Sequence, residues 1–114
     1  MTTLHARHYA TGRPVAVTVE AGTITTVAGS DRRPDLWVAP AIFDPQINGG
    51  LGVGFNSPDL TTEGVRTVAD ECRKHGIGAF LPTLITTSDE AFRHGFSTLA
   101  AAADADPDLA RSIP

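Results

Sequence analysis

Apolar and polar positions split this chain into a β-rich first third and a second part that alternates between strand and helix. In "RPVAVTVEAGTITTVAG", Arg13 to Gly29, β-branched residues dominate two runs, Val15–Val19 and Thr23–Val27. Glu20-Ala21-Gly22 between them reads as a hairpin turn, with a glycine free to take positive φ. "GSDRRPD", Gly29 to Asp35, reads as a polar loop. A two-stranded hairpin is marginal alone in water, so these strands need further strands or a second layer. "LWVAPAIFDPQI", Leu36 to Ile47, is apolar almost throughout, the pattern of a strand buried on both faces. Pro40 and Pro45 cannot donate to a ladder, which makes that strand irregular or edge-placed.

The period then changes. Thr61 is placed to cap a helix, with Glu63 in its first turn. Val65, Val68, Ala69 and Cys72 recur at helical spacing and form one apolar stripe. Lys74 and His75 occupy the last turn, and Gly76 suits the position just beyond it. "IGAFLPTLIT", Ile77 to Thr86, reads as a second buried strand. A second helix opens at Thr87 or Ser88, where Thr87 and Glu90 have capping-box spacing. Its expected stripe is Phe92, Phe96, Leu99 and Ala103, with Gly95 an internal weakness of about 1 kcal/mol. Pro107 breaks the pattern. Strand, helix, strand, helix with short connections implies parallel strands and right-handed crossovers, an α/β arrangement. A (β/α)8 barrel takes about 250 residues. The 114 residues therefore read as the N-terminal piece of a longer barrel protein.

Composition narrows the class. Hydrophobic residues make up 41% and charged residues 19%, as in a packed globular chain. The net charge of −4 and the scattered Lys and Arg residues exclude a nucleic-acid footprint. Cys72 is alone, so there is no internal disulfide framework, and it reads as a small buried side chain. No signal-like leader and no apolar run of membrane-spanning length is present, so a cytoplasmic protein with no membrane partner is expected.

Chemistry concentrates in "FDPQINGGLGVGF", Phe43 to Phe55. By strand alternation Asp44, Gln46 and Asn48 share one face, while Phe43 and Ile47 take the other. In a barrel the polar set would point inward near the strand's C-terminal end, where such folds carry their active sites. The competing reading is that Asp44 and Asn48 only satisfy backbone groups of a turn. The connection to Leu60 is long and holds Gly49, Gly50, Gly52 and Gly54. Its spacing fails the dinucleotide fingerprint, because Phe55 stands where the third glycine belongs. His5, His8, His75 and His94 make no paired metal-ligand spacing, and no serine sits in a nucleophile elbow.

"VAPAIFDPQINGGLGVGFN", followed by a helix and "HGIGAFLPTLITT", resembles the N-acetylglucosamine-6-phosphate deacetylases of the amidohydrolase superfamily, over about residues 13 to 114. The resemblance implies a small β-sandwich portion, here residues 1–38, followed by the first two β/α units of a TIM-type (β/α)8 barrel, residues 39–114, apparently truncated. It implies one divalent metal, zinc or similar, in the full-length enzyme, and hydrolysis of an acetamide to an amino-sugar phosphate and acetate. Most superfamily relatives carry His-x-His where this chain has Gln46 and Asn48. Those two residues, with Asp44, Gly49 and, more weakly, Thr83, are the implied pocket lining. The metal ligands and the catalytic Asp come from later strands, so no catalytic or metal residue and no bound metal is expected in this chain, and the piece alone is expected to be inactive. Pro40-Ala41 replaces the usual Pro-Gly, and Gly52-Val53-Gly54-Phe55 replaces Gly-Val-Asp-Phe, which removes a carboxylate from the mouth of the site. The implied partner is an amino-sugar phosphate substrate. An alternative is a non-catalytic truncated relative that serves as a binding or assembly module. An amidohydrolase acting on a cyclic amide is disfavoured by the missing His-x-His. Two barrel strands with open edges and uncovered apolar faces are expected to make the isolated piece form a homo-oligomer, swap or be partly disordered.

Overall fold

Strand β2 (Pro14–Glu20) turns back into β3 (Thr23–Gly29) through two residues. Ala21 has φ 47° and Gly22 has φ 79°, the paired positive angles of a turn whose twist suits a hairpin. The computed structural model describes residues 1–114. It extends this hairpin to a four-stranded sheet in the order β3-β2-β1-β4, with β1 Thr2–His8 and β4 Trp37–Val38. Strand β1 is antiparallel to β2 and parallel to β4. Ala6 of β1 and Val17 of β2 are the buried apolar residues of this sheet. Residues Met1–Pro40 form one compact unit and Ala41–Pro114 a second.

The long apolar stretch is two strands rather than one. Trp37–Val38 joins the first sheet, and β5 (Ile42–Ile47) pairs in parallel with β8 (Ile77–Pro82). Ala39-Pro40-Ala41 carries no strand hydrogen bonding between them, as the missing N–H of Pro40 favours. Nor are the strands buried on both faces. The helices cover one side only, so Phe43 is 53% and Leu81 is 41% exposed.

Helix α1 (Thr62–Lys74) joins β5 to β8 as in a βαβ unit. Thr61 caps it, its side chain accepting the Gly64 N–H, and Val65, Val68, Ala69 and Cys72 are its buried residues. Gly76 then takes φ 81° to leave the helix. Helix α2 (Asp89–Ala105) is capped by Ser88, whose side chain accepts the Ala91 N–H, and not by a Thr87–Glu90 box. Its buried residues are Gly95, Leu99 and Ala102, with Ala103 packed alongside. Phe96 is 58% exposed and stacks on Phe92, so the expected stripe is rotated. The reason is close approach. A Cβ at Gly95 would lie 2.5 Å from Leu84 Cδ2 and 2.7 Å from the Phe55 carbonyl oxygen. The glycine thus turns α2 toward the core on its own face.

A short third helix, α3 (Pro107–Ser112), follows where the proline was expected only to end α2. Asp106 caps it and Pro107 sits in its first turn, where the lost N–H needs no partner. Asp106 also pairs with Arg66, and Arg73 Nη2 donates to Ser112 Oγ at 3.1 Å, so α1 holds the α2–α3 corner at two points. The core joins all three helices to β8 through Phe55, Leu60, Val65, Val68, Phe80, Leu99, Leu109 and Ile113 among others. No helix is long and apolar enough to cross a membrane.

Candidate functional site

The glycine-rich connection after β5 is an ordered hairpin. Strand β6 (Gly49–Gly50) pairs with β7 (Val53–Gly54) across Leu51 and Gly52, at φ 52° and 81°. Gly49 has φ 144°, and a Cβ there would lie 2.0 Å from the Val53 carbonyl oxygen, so only glycine fits. Phe55 ends the hairpin fully buried, its ring parallel to that of Phe80 at 6.2 Å. Its N–H donates to the Asn48 carbonyl at 2.9 Å. The pair anchors the loop in the core.

Asp44, Gln46 and Asn48 do not form one continuous face. Three steps along β5 from Asp44 to Ile47 match two along β8, from Phe80 to Pro82. The extra residue breaks the alternation at Pro45. Asp44 is the register partner of Phe80, a core residue, and is half-buried, while Phe43 lies exposed. Asp44 Oδ1 accepts the Gln46 N–H at 2.9 Å, an Asx turn around Pro45. For Asp44, therefore, the turn reading describes the geometry. Its charge also reaches Cys72. Burial pushes the Cys72 thiol up, and the Asp44 and Glu71 carboxylates push it further.

Gln46 and Asn48 flank Ile47 and are exposed. With Gly49, Val68 and Cys72 they line an open cavity of about 400 Å³ between β5 and α1. Thr83 lies outside that cavity. Its N–H donates to the Ile47 carbonyl at 2.8 Å and its hydroxyl to the Leu81 carbonyl at 3.2 Å. The histidines serve local structure: His5 meets Ser30 at 2.9 Å, and His75 meets the Glu71 carbonyl at 3.0 Å. His94 on α2 is half-buried, with Nε2 3.0 Å from the Leu60 carbonyl. No three His, Cys, Asp or Glu side chains converge. Gln46 and Asn48 offer only neutral amides. The residues present therefore do not fit a divalent-metal centre on their own.

Half of the chain aligns with curated proteins of one name. Identity is 41% over 56 residues with the Rattus norvegicus protein and 41% over 61 residues with the Caenorhabditis elegans protein. The chain resembles N-acetylglucosamine-6-phosphate deacetylases. The aligned part is 48% of this chain and 14% of the rat deacetylase, and 50% and 15% for the nematode deacetylase. The match thus spans only about a seventh of the length of these relatives. The crystal structure of the N-acetylglucosamine-6-phosphate deacetylase from Pasteurella multocida shares the fold, with a TM-score of 0.69 at 22% identity. That likeness covers 87% of this chain and 29% of the bacterial one. No family-level sequence profile matches the chain.

Proposed function

We propose that these residues are the opening portion of a metal-dependent deacetylase that converts N-acetylglucosamine 6-phosphate to the amino-sugar phosphate and acetate. On this reading β5 and β8 are the first two strands of a (β/α)8 barrel, and their C-terminal ends face the substrate. The observation that carries the reading is the 41% identity over half the chain to deacetylases of this name. The fold shared with the bacterial enzyme supports the architecture.

On the same reading, the residues of this chain take the following roles. Gln46 and Asn48, exposed beside Ile47, hydrogen-bond to the sugar or to the attacking water. Gly49 lets the chain leave β5 without a side chain in the hairpin's path. Thr83, tied to Ile47, forms the neighbouring wall, and Asp44 shapes the turn that presents Gln46. Hydrolysis adds water across the amide: hydroxide goes to the acetyl carbon and a proton to the leaving nitrogen. The groups that activate the water lie, in this proposal, outside residues 1–114, and the 114-residue chain alone is inactive and self-associates.

The test is acetate release from N-acetylglucosamine 6-phosphate by the 114-residue chain and by the product of the complete reading frame. Release by the longer product alone is expected. A reading frame that stops at Pro114, with no release, would overturn the enzyme reading in favour of a non-catalytic module.

A further inference from the structure

Asn56 links two loops that are far apart in sequence. Its Nδ2 donates to the Ile85 carbonyl at 2.9 Å, and its Oδ1 accepts the Ile85 N–H at 2.8 Å. Only one orientation of the amide satisfies both, because the backbone donor and the backbone acceptor of one residue, Ile85, are engaged together. The side chain thus substitutes for a strand neighbour where neither loop has one.

These bonds close a ring. The Asn48 carbonyl accepts the Phe55 N–H, and the next residue is Asn56. Asn56 holds Ile85, and two residues earlier the Thr83 N–H donates to the Ile47 carbonyl. The circuit runs Asn48, Phe55, Asn56, Ile85, Thr83, Ile47 and back to Asn48. Every link has ordinary hydrogen-bond length, between 2.8 and 2.9 Å. Asn56 supplies the one side-chain link. Without it, the hairpin and the loop after β8 are joined only at the Ile47 end.

We propose that Asn56 is a positioning residue that acts through Asn48, fixing the end of β5 so that the Asn48 side chain meets the substrate at a set place. The role rests on the deacetylase reading for what Asn48 touches, but the ring itself does not. One close contact and one hydrogen bond from α2 brace the same loop. The Phe55 carbonyl packs against Gly95, and the Leu60 carbonyl meets His94. Loss of the Asn56 amide therefore loosens the ring and leaves the fold in place.

Amide hydrogen exchange on Asn56→Ala in the 114-residue chain tests the ring directly. Exchange at Phe55 and Ile85 should quicken by about tenfold or more, with Val68 and Leu99 unchanged. Unchanged protection at Phe55 would overturn the proposal whatever the activity. Kinetics of the complete reading-frame product test the action through Asn48. Asn56→Ala should raise KM about tenfold with kcat within about twofold, and should add nothing in an Asn48→Ala background. Additive effects of the two substitutions would overturn action through Asn48. Local loosening without any acetate release from the parent protein would sink the deacetylase reading and leave the ring standing.

Discussion

Gly95 shows how a single absent methyl group can set the direction a helix faces. Helix propensity alone favours alanine over glycine by about 1 kcal/mol. Here an added Cβ meets the end of Leu84, which can rotate, and the Phe55 carbonyl at 2.7 Å, which cannot move without shifting the buried Phe55 ring. Overpacking of this kind costs about 1–3 kcal/mol. Gly95→Ala should therefore destabilise the chain by about 1–2 kcal/mol in urea unfolding, despite its better propensity. Gly54→Ala is the matched control. Apart from its chain neighbours, nothing lies within 4 Å of where its Cβ would sit, so it should leave the midpoint nearly unchanged. A stabilised Gly95→Ala variant would mean that Leu84 and the loop yield freely. The same scale separates what the sequence shows of the candidate site from what it hides. Gln46, Asn48 and the glycine loop stand out because polar residues interrupt an apolar run. The reassignment of Asp44 does not, because it depends on one extra residue at Pro45 and on the register with a strand more than thirty positions away. Asn56 is hidden for the same reason, since its partner is Ile85.

Between helices, the Asp106 corner is where charge bears on stability. The Asp108 backbone N–H, first, and the Arg66 guanidinium, second, hold the Asp106 carboxyl below its ordinary range. The pairing in turn raises Arg66. A carboxyl lowered in the folded state contributes stability that is full above about pH 5 and is lost as pH falls through its lowered value. Asp106→Asn keeps a competent cap for α3 but gives up the charge. Its stability should thus fall less steeply than that of the parent chain as acid is added. Thermal melts across that acid range check the difference, and parallel curves would show that the corner does not depend on ionisation. Elements set by local rules are the legible ones. Helix α1 announces itself through a cap, a four-residue stripe and a closing glycine, all within one segment. Helix α3 is equally local, an Asp cap followed by proline at the first turn, but the proline by itself predicts only the end of α2. The rotated face of α2 and the division of Leu36–Ile47 between two sheets are different in kind. Both are decided by tertiary partners, Phe55 and Leu84 in one case and β1 and β8 in the other.

For the molecule as a whole, the consequence lies in what the strands leave uncovered. β5 and β8 pair only with each other, so each keeps one free edge. Phe43 is the register partner of Ala79, and Leu81 follows two residues on, which puts Phe43 and Leu81 on the same face, away from buried Phe80. At 53% and 41% exposure, these two side chains leave apolar surface in water beside unpaired backbone groups. Open edges next to apolar surface are templates for pairing with another chain. Sedimentation velocity on the 114-residue chain should therefore show association that grows with concentration up to about 100 µM. The double substitution Phe43→Lys, Leu81→Lys should shift the chain toward monomer, because it charges the open face and leaves the Phe55–Phe80 core untouched. A parent chain that stays monomeric at the highest concentration would show that the edges are protected by their irregular register rather than by a partner. Association that the lysines do not weaken would place the contact elsewhere, with the exposed Ile24, Val27 and Trp37 of the first sheet the next surface to charge.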